Sequence, residues 1–218
     1  TEKARETMQQ AEEKIPWPQK GLAIARCHEI LGENDLAVEK YKTALTANPD
    51  NPVVLWVAAD FYLRSGKLAE AEELLNKLVA GADKYSAIVV ADARRKLVAV
   101  LKGRGGYTNL QKAVQLIDQN LASKAATIED RRIKAKLLVS DPSEAKKREG
   151  LEMLEQMIQS GEAVGQDDQF ELARLYLARN DLAKYRSHIL AVLSGAHPRS
   201  QYIAFHIQTL LKNEDASD

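Results

Sequence analysis

The residues of this chain that could do chemistry are its four histidines, its one cysteine, its glycine-rich turns and its many carboxylates. His28-Glu29 opens the His-Glu-x-x-His pattern, in which two histidines one helical turn apart hold zinc and the glutamate acts as a base. The second histidine would fall at Gly32, so the pattern is broken and His28 reads as a side chain in a helix interface. His188, His197 and His206 have no ligand spacing among themselves. Gly103-Arg-Gly-Gly106 and Gly66-Lys67 invite comparison with phosphate-cradling loops. Neither carries the Gly-Lys-Ser/Thr ending, Leu68 follows Lys67, and no strand precedes either. Both read as helix terminators. No glycine-flanked nucleophilic serine and no calcium-loop spacing occurs. Cys27 cannot form an intramolecular disulfide or a cysteine-rich metal site alone. A packed, inert thiol is its default reading and a reactive thiol the second. The carboxylates fall on polar helix faces and are expected to be solvated. No catalytic residue, metal site or cofactor is therefore expected, and the chain does not read as an enzyme.

Charge is balanced, with 31 basic and 31 acidic residues. A general affinity for nucleic acid or anionic membrane needs a net basic surface, so both are disfavoured. Arg94-Arg95-Lys96, Arg131-Arg132 and Lys146-Lys147-Arg148 are interleaved with acidic neighbours and read mostly as solubilising surface. No stretch reaches the ~20 apolar residues of a membrane span. The lone cysteine leans toward an intracellular, reducing compartment, although a disulfide-free bacterial periplasmic protein would read the same. The first residue is Thr1 rather than Met, as in an excised segment or processed product, whose flanks would be the place for a targeting signal or a catalytic domain.

The elements that must position these residues are helices in pairs. Gly21-Leu-Ala-Ile-Ala-Arg-Cys-His28, Leu31-Gly32 and Leu36 to Leu45 align with Leu55-Trp-Val-Ala-Ala-Asp-Phe-Tyr62, Ser65-Gly66 and Glu70 to Val79. Ala25 and Ala59, Gly32 and Gly66, Ala37 and Ala71, and Tyr41 and Leu75 are each 34 residues apart. Each unit has two apolar stripes at helical spacing. The glycine between them suits the left-handed residue that ends a helix. The paired alanines let two helices approach closely, and Tyr41, Tyr62 and Leu75 fill the gaps. Asn51 can cap the next helix, with Pro52 in its first turn. Looser repeats follow. Ser86 to Lys102 is expected to be a long helix, with Leu110 to Leu121 as its partner. Ile128 to Val139 pairs with Leu151 to Ile158 after an Asp141-Pro142-Ser143 cap. Phe170 to Tyr176 pairs with Leu182 to Leu193 across Asn180-Asp181.

These residues resemble the tetratricopeptide repeat, a helix–turn–helix of ~34 residues. The likeness is clearest over 18–79 and weaker over 86–212, and Gly21 departs from the large residue usual at its position. The resemblance implies an all-α, tetratricopeptide-like α-solenoid of about five antiparallel helix pairs plus terminal helices. The expected repeat domain spans 18–214, with units near 18–51, 52–84, 85–124, 127–161 and 166–197 and a capping helix at 199–212. An N-terminal helix and linker occupy 1–17, and 215–218 form a frayed tail.

The resemblance also implies a concave groove lined by the first helix of each pair, which in this family commonly holds an extended peptide or a partner's helix. The matching positions are Leu22, Arg26 and Glu29 in the first unit, Trp56, Asp60 and Leu63 in the second, and Phe170 and Arg174 in the fifth. In the third, Arg94 or Arg95 faces inward. Trp56 is open between a binding hot spot and packing between units. Some members grip a C-terminal carboxylate with groove Lys, Asn and Arg residues. Leu22, Arg26, Trp56 and Asp60 do not reproduce that set, which disfavours a chaperone-tail adaptor. The leading expectation is a non-catalytic scaffold for another protein or peptide. The alternatives are an accessory region of a larger enzyme or regulator, and an RNA-binding helical repeat. Residues 199–212, apolar all round, add self-association through the C-terminal helix.

Overall fold

The structure, a computed structural model, describes residues 6, 19–162, 165–195 and 197–214. The expected N-terminal helix over 1–17, residue 6 apart, and the tail at 215–218 lie outside the described residues. The described segments are α-helical: α1 Gln19–Ile30, α2 Asn34–Ala47, α3 Pro52–Arg64, α4 Leu68–Ala80, α5 Ala87–Arg104, α6 Tyr107–Leu121, α7 Ile128–Val139, α8 Glu144–Gln159, α9 Gln166–Ala178, α10 Leu182–Leu193 and α11 Ser200–Glu214. The chain forms two compact units that meet within α7, residues 1–130 and 131–218.

In unit 1, α1/α2, α3/α4 and α5/α6 are antiparallel hairpins. Each first helix carries a fully buried alanine at the same repeat position, Ala25, Ala59 and Ala93, each 34 residues after the last. The second helices answer with buried Ala37, Ala71 and Ala113. Small residues at these crossings let larger neighbours close over them. Tyr41 stacks on Phe61 at 4.4 Å between the first and second hairpins. Leu55, Leu75, Leu78 and Leu97 close the core between the second and third.

Unit 2 repeats the scheme with longer spacing. Ala135 and Ala173 are its fully buried first-helix alanines, 42 residues beyond Ala93 and 38 beyond Ala135. Against Ala135 stands Gly150 of α8, packed on the α7 backbone. Against Ala173 stands Tyr185, 12 residues on. Helix α11 packs on α10, and Phe170 of α9 meets Tyr202 and Phe205 at 4.4 and 5.1 Å. Those two and Thr209 form the inner face of α11, while Ile203, Ile207, Leu210 and Leu211 remain exposed.

The turns follow from single residues. Gly32, Gly66, Gly161 and Asn180 have φ of 75°, 72°, 70° and 59°. Immediately after each, an amide reaches back five residues: Glu33 to His28, Lys67 to Tyr62, Glu162 to Met157 and Asp181 to Tyr176, at 2.9–3.0 Å. This bond satisfies a carbonyl that the ending helix leaves open. Asn180 thus does what glycine does elsewhere, as asparagine tolerates the left-handed region. Asn51 Oδ1 caps α3 by accepting the amides of Val53 and Val54.

Two details differ from the sequence reading. Helix α5 runs through Gly103 and ends only at Gly105, the first residue there with positive φ. The Ser143 side chain makes no cap bond; Asp141 Oδ1 instead accepts the Ser143 amide at 2.9 Å.

The glycines yield a test. A Cβ on Gly150 would lie 2.7 Å from Ala135 O and 2.8 Å from Val139 N, both backbone atoms that cannot swing away. Gly150→Ala should lower stability by about 1–3 kcal/mol in urea unfolding. Gly103 is helical and meets nothing within 4 Å, so Gly103→Ala should raise it by about 0.5–1 kcal/mol.

Candidate functional site

The first helices of unit 1 share a face on which charged residues recur at the repeat spacing. Arg64 of α3 donates from Nε to Glu29 Oε1 of α1 at 2.8 Å and from Nη2 to Oε2 at 3.1 Å. It also pairs with Asp60, one turn back. Asp60 accepts a 2.8 Å bond from Lys96 of α5, and Lys96 stands 3.6 Å from Asp92 and 5.1 Å from the Trp56 ring centre. The Trp56 indole N–H donates to Asp92 at 2.5 Å. The result is a ladder across three helices, Glu29–Arg64–Asp60–Lys96–Asp92–Trp56. Burial opposes ionisation of Asp60, but Lys96 and Arg64 outweigh it and hold the carboxyl below its usual range.

The eight residues expected to line the groove fall into three situations. Arg26 and Arg174 are exposed, and Arg174 pairs with Glu171 at 3.2 Å on its own helix. Glu29, Asp60 and Trp56 are rungs of the ladder; the Trp56 ring also packs on the core between the second and third hairpins. Leu22, Leu63 and Phe170 are partly buried in hydrophobic clusters. Six of the eight lie in unit 1, and Phe170 and Arg174 lie in unit 2.

Sequence reasoning missed a second, buried set. Asp130 is fully buried in the first turn of α7, where Arg95 grips it with two bonds of 2.8 and 2.7 Å. Asn120 Nδ2 donates to the same carboxylate at 2.9 Å, as do the amide and hydroxyl of Thr127. Asn120 also donates to Ala91 O and accepts from Arg94. Burial raises the cost of charge on Asp130, yet Arg95, Asn120 and Thr127 together hold its carboxyl below the usual range. In unit 2, Asp168 is 2% exposed in the first turn of α9 and pairs with Arg132 at 2.9 Å and Lys136 at 2.5 Å. The Gly165 amide donates to it at 3.1 Å. The expectation of uniformly solvated carboxylates and solubilising Arg94-Arg95-Lys96 and Arg131-Arg132 clusters is corrected: these side chains are partly buried and Arg95, Lys96, Arg131 and Arg132 each pair with a carboxylate. Oppositely charged residues 35–36 positions apart (Glu29 and Arg64, Asp60 and Lys96, Arg95 and Asp130) were the signal that could have found them.

Nothing else in the described residues organises chemistry. No group of three or more His, Cys, Asp and Glu among them could hold a metal ion, and no described helix is long and apolar enough to cross a membrane. His28 is buried, with Nδ1 2.7 Å from Glu33 Oε2, as an interface side chain would be.

A family model described as the tetratricopeptide repeat matches residues 30–97, from the end of α1 into α5. Over that segment the chain carries tetratricopeptide repeats. Solved structures of the class share its fold. Pseudomonas aeruginosa PilF superposes with a TM-score of 0.68 at 19% identity, covering 95% of this chain and 89% of that one. A tetratricopeptide repeat protein of Parabacteroides merdae gives 0.70 at 17% identity, covering 96% and 78%. YrrB, a repeat protein described as having an unusual peptide-binding site, gives 0.64 at 15%, covering 93% and 97%. No curated protein sequence matches this chain significantly.

The buried carboxylate of the repeat array sets a pH test. Asp130→Asn removes a charge while leaving Arg95 buried beside it, and should cost about 3 kcal/mol in denaturant unfolding. Because the folded-state carboxyl is depressed, its contribution is full above the unfolded value near 3.8 and falls as pH drops through the lower folded value. The loss of wild-type stability below about pH 4 should be shallower in the variant, as read from unfolding midpoints across an acid series.

Proposed function

We propose that this protein is a non-catalytic interaction scaffold that binds a peptide or helix of a partner on the face formed by its first helices. The observation that carries the reading is the face in unit 1. There, Glu29 of α1, Trp56 and Asp60 of α3 and Lys96 of α5 form one continuous run of side chains, held in register by bonds between successive repeats. A partly exposed indole among fixed charged groups has the make-up of a recognition hot spot. The peptide-binding site described for YrrB, a protein of the same fold, lends support.

The test is an affinity pull-down from the source cell with wild type, Arg26→Glu and Trp56→Ala. Arg26 is exposed, so its variant should keep the wild-type melting temperature while capture falls about tenfold. Trp56→Ala should lose capture as well, with some loss of stability because its ring packs on the core. Recovery of the same proteins by both variants would remove this face as the binding site.

A second reading concerns the protein's own copies. Ile203, Ile207 and Leu210 of α11 are 42%, 50% and 43% exposed and follow the 4–3 spacing of a helix–helix seam. Ile207 lies 34 residues after Ala173, where α9 has the small residue that admits a close hairpin partner. A large side chain there suits a helix crossing at wider separation, such as α11 of a second copy. Light scattering across a concentration series should show mass rising toward a dimer, abolished by Ile207→Asp. A constant monomer mass at high concentration would sink this reading.

A further inference from the structure

The following inference rests on the reading that the first-helix face is the docking site, and names the chemistry of what docks there. We propose that the partner engages unit 1 through uncharged, apolar side chains seated on a patch formed by Val53, Trp56 and Ile88. Helices α3 and α5 run parallel in that unit, since Trp56 bonds Asp92 and Asp60 bonds Lys96, both 36 residues ahead. Val53 lies three residues before Trp56, and Ile88 four before Asp92. Each therefore stands one turn toward the N-terminus from the Trp56–Asp92 bond, on the side of its helix near that bond. They are 59% and 73% exposed, although both are β-branched and apolar. Exposed large apolar side chains clustered beside an indole mark an interaction surface rather than scattered surface residues.

The charges next to the patch have little left to offer a partner. Glu29 takes Arg64 and the Tyr41 hydroxyl. Asp60 takes Lys96 and Arg64. Asp92 takes the Trp56 indole, with Lys96 close by. A charged group from a partner would have to break one of these bonds in order to make its own, so the exchange gains little. Covering Val53, Ile88 and the exposed part of Trp56 requires no exchange and removes apolar area from water. Charge complementarity is thus already met within the face, which selects an uncharged, aliphatic or aromatic segment.

Random ~12-residue peptides displayed on phage would be panned on the full chain and on a Val53→Asp/Ile88→Asp variant. Both positions lie in the first turn of a helix, where aspartate is favoured, and a wild-type circular-dichroism melt would verify folding. The expected result is enrichment of Leu, Ile, Met and aromatic residues, with recovery about tenfold lower on the variant. A synthetic peptide from that pool should bind with a Kd that changes less than about threefold between roughly 0.05 and 0.5 M salt. Enrichment of acidic or basic peptides, or equal recovery on the variant, would overturn the proposal. Charged peptides that lose binding on Arg26→Glu would preserve the first-helix face while removing this patch from it, and no enrichment at all would overturn both.

Discussion

Two helices can share a core only as closely as the side chains at their crossing permit. In this chain that limit is set by one residue per hairpin. Ala25, Ala59, Ala93, Ala135 and Ala173 are each fully buried. An alanine buries little area of its own, so it stabilises chiefly by what it lets others do. With the crossing narrow, Tyr41 can stack on Phe61, and Leu55, Leu75 and Leu97 can meet across hairpins. The second helix answers with alanine three times and with glycine once, at Gly150, where the α7 backbone has come so close that even a methyl group has no room. The hairpin geometry, and with it the placement of every first helix, depends on these small residues.

Where their spacing is regular, apolar packing and the partly exposed ladder maintain the register. Where it lengthens, a buried carboxylate takes over. The alanine spacing is 34 up to Ala93, then 42 and 38. The helices that follow the two longer steps, α7 and α9, each begin with a buried aspartate five residues before the alanine, Asp130 and Asp168. Each aspartate accepts a backbone amide from its own preceding loop, Thr127 or Gly165, and a guanidinium from the first helix before it, Arg95 or Arg132. A carboxylate with several fixed donors specifies one position for the helix start, whereas leucine packing tolerates slippage along the groove. The cost is a charge that is expensive to leave unpaired, which is why such groups are few.

This division explains what could be read from the sequence. Small residues, left-handed glycines and the Asn51-Pro52 start are local signals, and each means the same thing wherever it occurs. They marked the hairpins and the turns within them. Gly103 misled because a helix will cross one glycine at a cost near 1 kcal/mol and stop only where φ turns positive. The ladder was not legible for a different reason. Periodicity says which face of a helix a residue occupies, but not what the neighbouring helix presents opposite. With 28% of residues charged, an opposite charge 35 positions away is common by chance, and Arg95 looked no different from any other surface arginine. Trp56 shows the same limit. Its type and position leave it open between a binding hot spot and packing between units, and only the fold reveals that its indole is bonded to Asp92.

The ladder in turn bears on recognition. Ion pairs between partly exposed side chains contribute modestly to stability, typically below about 1 kcal/mol each. Their larger effect here is to fix α1, α3 and α5 against one another and to engage the charged groups of the ladder with one another. A net charge of zero and paired surface charges leave little long-range field to steer an oppositely charged partner. For the partner proposed above, discrimination on such a face comes from shape and from apolar contact at short range. The register supplies the shape, since the rungs of the ladder fix Trp56 and the helices that carry Val53 and Ile88, and a preorganised surface loses less entropy on association.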